Sequence, residues 1–182
     1  MQGIRVRLSP LTDEDSPTFL KWINEREQVL LSTPYLPVSE AEHRLWFESV
    51  QGRKDTFIFA IRTIEEDRLI GSCQLHSVHW VHRTAELQIR IGEADQRGQG
   101  YGQEITKLLL DFAFLDLNLN RVSLHVFEGN EAAIHVYKKT GFRREGLLRQ
   151  GAHINGEYLD ILVMGILREE HVSQDSRGHS PA

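Results

Sequence analysis

A glycine-rich turn between a strand and a helix constrains this chain most. The turn reads Arg97-Gly98-Gln99-Gly100-Tyr101-Gly102, and residues 85–91 before it alternate apolar and polar side chains, as a half-buried strand does. After the turn, apolar residues recur at helical spacing: Tyr101, Ile105, Leu108, Leu109, Phe112 and Leu115. The first N–H groups of a helix lack internal partners and lie at the positive end of its dipole. Because glycine permits positive φ and carries no Cβ, the turn predicts an anion-binding site.

Two common phosphate-binding loops differ from this turn. A P-loop requires Lys-Ser or Lys-Thr at its end, and neither pair is present. A dinucleotide fingerprint requires G-x-G-x-x-G, but Gln103 stands where the third glycine belongs. Glu128, after a later strand, keeps this alternative open as a ribose-binding acid, although too little chain follows for a doubly wound sheet. A glycine-rich connector without a ligand is the third interpretation.

Composition limits the classes of protein that fit. With 182 residues, of which 40% are hydrophobic and 26% charged, the chain suits one soluble domain. The formal net charge of −5 argues against general nucleic-acid binding and is compatible with a cationic substrate. Cys73 is the single cysteine, so an internal disulfide is excluded. We find no membrane-length apolar run and no signal peptide, and we therefore expect a cytoplasmic protein.

Periodicity along the chain predicts the order β-α-α-β-β-β-α-β-α-β-β. This is an α+β class with a single mixed, mostly antiparallel sheet of about seven strands and about four helices. We expect the domain to span residues 1–168. Residues 169–182 are polar without an apolar period and are predicted to form a disordered tail.

Two motifs together resemble a known family. Arg97-x-x-Gly100-x-Gly102 resembles the acetyl-CoA signature of the GNAT superfamily of N-acetyltransferases: arginine or glutamine, two residues, glycine, one residue, glycine or alanine. Residues 130–142, with Asn130, Tyr137 and the Gly-Phe pair at 141–142, resemble the second signature of that family. Residues 158–164 are similar to the branch of ribosomal-protein N-terminal and spermidine acetyltransferases. The resemblance spans residues 4–167.

The resemblance implies a GNAT fold whose sheet is splayed in the middle, between strand 85–91 and the strand that begins at Arg121. It also implies transfer of acetyl from acetyl-CoA to a primary amine by direct attack in a ternary complex. The acceptor stays open between a protein N-terminus, a polyamine and another small amine. The implied cofactor-binding residues are Ile89, Arg90, Ile91, Arg97, Gly98, Gln99, Gly100, Tyr101, Gly102 and Asn130. The strand members of this set would bind pantetheine and the oxyanion, and the turn members would bind pyrophosphate.

The chemistry requires a base and an acid. An amine with a pKa near about 10 is mostly protonated at neutral pH and must lose a proton before attack. Glu86 is the candidate base, directly or through water, with Glu128 as runner-up, although Glu86 also fits a solvent-facing strand position. By resemblance, Tyr137 protonates the departing thiolate, although helix packing would also explain it.

Other interpretations concern function and partners. A non-catalytic acyl-CoA sensor on the same fold is the rival, and a base together with an acid favours the enzyme. His76, His79 and His82 resemble a metal cluster, but a spacing of three in a strand alternates faces, so no metal is predicted. The family's habit implies a homodimer. The loop at residues 30–37 and the helix after it lie on the family's acceptor side, where Tyr35, Trp46 and Glu48 would meet the substrate.

Overall fold

A mixed sheet with the order β1-β2-β3-β4-β5-β7-β6 organises the fold. The computed structural model describes residues 1–30, 33 and 35–171. All neighbouring strands are antiparallel except β4 and β5, which are parallel. The strands are β1 Val6–Pro10, β2 Phe57–Thr63, β3 Leu69–His79, β4 Thr84–Ile91, β5 Arg121–Phe127, β6 Arg143–Ile154 and β7 Glu157–Leu167. The α-helices are α1 Ser16–Asn24, α2 Arg26–Val29, α3 Glu40–Val50, α4 Tyr101–Asp111 and α5 Glu131–Lys139. The predicted α+β class with a single mixed sheet is confirmed.

The elements differ from the sequence prediction in three places. The single-turn helix α2 is an addition, so the described residues hold five α-helices rather than about four. Alternation of apolar and polar residues predicts a first strand that includes Ile4, whereas the strand begins at Val6 and Ile4 lies outside it with 90% of its surface exposed. The last two strands, predicted over residues 142–149 and 158–166, extend over residues 143–154 and 157–167 and leave only the turn at Asn155 and Gly156 between them. A bulge between Leu148 and Ala152 explains the last difference, because it interrupts the alternation that marks a strand.

The two faces of the sheet carry different side chains. On the face that we call the core face, α4 and α5 pack on strand residues such as Leu87 and Leu124 in the main hydrophobic core. Successive strand residues alternate, so Glu86, Gln88 and Arg90 of β4 lie on the other face, the outer face. The segment before α1 packs on this outer face. Its buried residue Asp15 forms an ion pair with Arg62, which follows the core residue Ile61 in β2 and therefore points to the outer face.

The described part of the chain continues past residue 168, where the sequence analysis puts the end of the domain. Residues 168–171 form a helical turn, and His171 is buried with its Nε2 atom 2.7 Å from Oδ1 of Asp111. The rest of the predicted tail, residues 172–182, lies outside the described residues, as do Leu31, Ser32 and Pro34 of the predicted loop. Within the described residues, no helix is long and apolar enough to span a membrane.

Gly92 allows α1 to approach the end of β4. A Cβ atom on Gly92 would lie 2.2 Å from Cδ2 of Trp22, a side chain that is 2% exposed. The Trp22 Nε1 atom also donates a hydrogen bond of 2.9 Å to Glu93, so the indole is held in place. The backbone of β4 and the indole of α1 are therefore in direct contact.

We expect Gly92→Ala to destabilise the fold by about 1–3 kcal/mol, because the added methyl group displaces the indole. The melting temperature should fall by roughly 2–4 °C per kcal/mol. Gly146→Ala is the matched control, since a Cβ atom added there would have no neighbouring atom within 4 Å and its change should stay within about 0.5 kcal/mol. Equal denaturant midpoints for wild type and Gly92→Ala would contradict the packing described.

Candidate functional site

The sheet forks between β4 and β5. The two strands pair at only three positions, Thr84 with Arg121, Ala85 with Val122 and Glu86 with Ser123. Both strands continue beyond this point, β4 to Ile91 and β5 to Phe127. The strands therefore diverge after Glu86 and open a cleft at the predicted position.

Backbone alternation in β4 decides which amides face the cleft. The Gly92 N–H donates to the carbonyl of Ile70 on β3 at 2.8 Å. Hydrogen-bonding direction alternates along an antiparallel strand, so the Arg90 amide also faces β3. The amides of Ile89 and Ile91 consequently point into the cleft. Of the three strand residues predicted to bind the cofactor, Ile89 and Ile91 therefore have a backbone N–H group that points into the cleft.

The glycine turn presents a row of amides. Gly98 and Gly100 have φ values of +72° and +80°, and Gly100 is the N-cap of α4. The Arg97 N–H donates to the Ala94 carbonyl at 3.3 Å and is thus occupied. Within the described part of the chain, no acceptor is found for the N–H groups of residues 98–102. The turn therefore offers five amides and the positive end of α4.

The Arg97 guanidinium joins the turn to the strand rather than extending away from both. Its Nε atom donates to the Ile91 carbonyl at 3.1 Å, and its Nη2 atom donates to the Gly92 carbonyl at 3.3 Å. The predicted phosphate contact of this side chain therefore competes with its hold on the end of β4. The side chain fixes the turn relative to the cleft amide of Ile91.

Arg5 supplies a cation that the sequence analysis missed. Its Nη1 atom donates to the Gln99 carbonyl at 2.8 Å, and its guanidinium carbon lies 4.7 Å from the ring centroid of Tyr101. Glu104 holds the same guanidinium, with Nε and Oε2 3.6 Å apart. A single arginine in an N-terminal segment carries no motif, so only the fold reveals its place beside the turn.

Asn130 begins α5 next to the second signature. Its Oδ1 atom accepts a hydrogen bond of 3.1 Å from the Ala133 N–H, so Asn130 is the N-cap of α5. This cap uses the carbonyl end of the side chain. The Nδ2 group remains a donor suited to a coenzyme oxygen.

Glu86 stands at the fork with a histidine partner. Its Oε2 atom lies 3.1 Å from Nδ1 of His125, the next β5 residue after Ser123 that points to the outer face. The two side chains are 34% and 43% exposed. Glu128, the alternative base, lies past the end of β5 and is paired with Arg144 at 3.2 Å. Of the two candidate bases, Glu86 is therefore the one whose carboxylate lies at the fork.

Tyr137 belongs to the main core on the opposite side of the sheet. Its side chain is 9% exposed, and its ring lies 5.7 Å from that of Phe142 in an edge arrangement. Burial raises the pKa of Tyr137 to about 12, so the phenol is protonated at neutral pH. In the portion of the chain that is described, its hydroxyl has no hydrogen-bond partner. A protonated phenol thus lies on the core side of the sheet, whereas Glu86 lies on the outer face.

The three histidines considered as metal ligands, and the single cysteine, make contacts that are typical of structural residues. The rings of His79 and His82 stack 4.1 Å apart, while His76 contacts the Ser77 hydroxyl. Among residues 1–30, 33 and 35–171, no group of three His, Cys, Asp or Glu side chains could hold a metal ion. Cys73 is a buried strand residue whose thiol pKa is raised by burial, as expected of a core cysteine.

Comparison with known proteins decides the family. The family model of the acetyltransferase (GNAT) domain matches residues 5–143. This chain is a member of the GNAT family.

Among its relatives, a spermidine N(1)-acetyltransferase of Vibrio cholerae is 37% identical over 116 residues, or 62% of this chain and 66% of that protein. The spermidine N(1)-acetyltransferase of Escherichia coli K12 is 30% identical over 93% of this chain and 89% of its own length. A putative ribosomal N-acetyltransferase of Bacillus subtilis is 26% identical over 90% of this chain and 86% of its length.

A solved structure agrees over nearly the whole fold. The spermidine N-acetyltransferase from Vibrio cholerae, in complex with CoA and spermine, has a TM-score of 0.86 and 28% identity. The match covers 92% of this chain and 98% of that one. This GNAT protein is therefore an acetyl-CoA-dependent N-acetyltransferase that acts on an amine. The dinucleotide-binding alternative is wrong, because a sheet with one parallel pair is not doubly wound.

Proposed function

We propose that this enzyme transfers the acetyl group of acetyl-CoA to a primary amine of a polyamine, by direct attack in a ternary complex and without a metal. The observation that carries the proposal is the fork. Two strand amides face its cleft, and a row of amides without protein acceptors in the described chain follows at the end of the same strand. A thioester in the cleft and a diphosphate on the turn would belong to one extended ligand.

The cofactor uses the site from end to end in this proposal. The pyrophosphate binds the amides of residues 98–102, with the Arg5 guanidinium as a neighbouring positive charge. Pantetheine lies in the cleft along β4. Asn130, at the other edge of the cleft, contacts it. The amides of Ile89 and Ile91 then stabilise the oxyanion of the tetrahedral intermediate.

Proton transfer is divided between the two faces of the sheet. On the outer face, Glu86 helps to remove a proton from the ammonium group of the acceptor, directly or through an intervening group. On the core face, the protonated phenol of Tyr137 donates to the departing sulfur. The amine and the leaving thiolate thus meet proton-transfer groups on opposite sides of the carbonyl.

A polyamine is favoured as the acceptor by the relatives and by charge. Two of the relatives described above are spermidine acetyltransferases, and α2 and α3, which flank the loop that the resemblance assigns to the acceptor side, carry exposed carboxylates at Glu27, Glu40 and Glu48. A protein N-terminus is the second candidate, which the likeness to a putative ribosomal N-acetyltransferase supports. We also infer a cytoplasmic homodimer from the family resemblance, and sedimentation of the purified chain tests the dimer.

An amine panel tests the proposed function. Thiol release from acetyl-CoA should be saturable with spermidine or spermine, and kcat/KM should exceed that for lysine amide or a ribosomal N-terminal peptide by about tenfold or more. CoA should also raise the melting temperature, since it binds only the folded state. Saturable CoA binding without turnover of any amine would instead support the non-catalytic sensor.

A further inference from the structure

We infer that the ring of His125 is the proton acceptor for the amine and that Glu86 orients this ring. The inference deepens the proposed function and rests on it. A carboxylate can only accept hydrogen bonds, so the 3.1 Å contact with Glu86 places a proton on Nδ1 of His125. The other ring nitrogen, Nε2, is then the basic atom of the pair.

The position of His125 suits this role. Ser123 is the last β5 residue paired with β4, and His125 is the next residue along β5 on the same face. Its ring therefore lies where the cleft begins, on the outer face that the amine approaches. The side chain is 43% exposed, so a proton taken from the substrate can pass on to water.

Relative basicity favours an imidazole over a carboxylate for this step. Imidazole in general titrates about two units above a glutamate carboxyl. Removing a proton from an alkylammonium group is uphill for either base, and it is less so for the stronger base. The same division of labour, with a carboxylate that orients an imidazole, is a recurrent arrangement in acyl-transfer enzymes.

The protons balance in the resulting sequence. The acceptor enters as an ammonium ion and transfers one proton to Nε2 of His125, which later passes it to water. The neutral nitrogen attacks the thioester carbon, a C–N bond forms and the C–S bond breaks. The second proton of the nitrogen leaves to water as the amide forms. The nascent thiolate accepts a hydrogen bond from the Tyr137 hydroxyl, which keeps its own proton, and the CoA sulfur then takes up a proton from water.

Other charged or titratable groups near the ring lie on β3, β4 and β5. β4 presents Glu86, and β7 presents uncharged Val163 opposite His125. His76 on β3 stands opposite Glu86 in register, but its Nδ1 atom contacts the Ser77 hydroxyl at 3.1 Å. Two positions before Ser123, Arg121 is paired with Glu145. Glu86, His76 and the Arg121–Glu145 ion pair are therefore the other groups to consider when a pH effect is assigned to His125.

The test compares His125→Gln with His76→Gln in the full chain, using saturating acetyl-CoA and spermidine or the best amine of the panel. A glutamine can still donate to Glu86 but cannot take up a proton. At pH 7 we expect His125→Gln to lower kcat/KM by about 10²-fold, with unchanged affinity for CoA. The deficit should shrink to about threefold or less near pH 10, where about half of a lysine-like amine is already neutral. His76→Gln should stay within about twofold of wild type.

Each possible result of this test either supports or overturns the inference. A deficit that stays constant from pH 7 to 10 shows a structural role and overturns the inference, as does full activity of His125→Gln at pH 7. If wild type turns over no amine at all, the proposed function falls and the inference falls with it. An active wild type with an unaffected His125→Gln overturns the inference alone.

Discussion

Replacing Tyr137 by phenylalanine should lower kcat by about 10²-fold or more while leaving the Kd of CoA nearly unchanged. The change removes only the hydroxyl that we propose as donor to the leaving sulfur. Burial raises the pKa of Tyr137 to about 12, which keeps the proton on the phenol across the working pH range. Thiols titrate near about 8.5. Complete proton transfer to sulfur is therefore uphill, and the main contribution of the phenol is a hydrogen bond to the developing thiolate.

Stability separates a catalytic loss from a folding defect. Among the described residues the buried hydroxyl has no hydrogen-bond partner, so its removal should leave the free energy of unfolding unchanged or higher. Tyr158→Phe makes the same chemical change at a site that is 64% exposed and should leave turnover unaltered. Wild-type kcat in the Tyr137→Phe variant would remove this residue from the mechanism.

The raised pKa also predicts a pH dependence of stability. The native state keeps the phenol protonated up to about pH 12, whereas the unfolded state releases the proton near pH 10. The stabilisation is fully present below about pH 10 and is lost as pH rises to about 12, by about 2–3 kcal/mol. Denaturant titrations at about pH 9 and about pH 11.5 should show this loss in wild type and not in Tyr137→Phe.

Replacing Gly100 by valine should weaken CoA binding by about 10²-fold or more. Gly100 has a φ of +80°, and a Cβ atom there would lie 3.4 Å from Nη2 of Arg5. A branched side chain strains this backbone conformation and covers the amides that we assign to the pyrophosphate. Loss of one or two charge-assisted hydrogen bonds, at about 1.5–3 kcal/mol each, accounts for the expected effect.

Gly52→Val is the matched control for this substitution. Gly52 has a φ of +74°, a Cβ atom added to it would have no neighbouring atom within 4 Å, and it follows α3 rather than the turn. Both variants should lose a similar stability of about 1–3 kcal/mol to backbone strain. Calorimetry should show weakened CoA binding only for Gly100→Val. Equal affinities in the two variants would exclude the turn as the pyrophosphate site.

The sequence predicted those parts of the site that a local pattern encodes. The strand before the turn and the helix after it follow from hydrophobic alternation and periodicity, and Gly98 and Gly100 have the positive φ values that suit such a turn. The mixed sheet followed from the order of the elements. The family came from two motifs whose spacing is fixed by the helix and strand between them.

Contacts between distant segments could not be predicted in the same way. Arg5 meets the turn across 94 positions of sequence, and His125 meets Glu86 across 39 positions. Neither residue belongs to a motif, and each contact depends on the register between strands. The occupied Arg97 amide was missed for a related reason, since the short 3-10 turn at Ala94–Gln96 has no apolar period.

The division between the two sides of the sheet has a consequence for redesign. Asn155, in the turn between β6 and β7, accepts a hydrogen bond of 2.8 Å from Arg26 of α2, the helix that precedes the loop which the family resemblance assigns to the acceptor side. The amide turn and Tyr137 are instead supported by α4 and α5. Loop grafts around α2 and the β6–β7 turn should therefore exchange the nitrogen compound that is modified, while the thioester donor keeps its binding place.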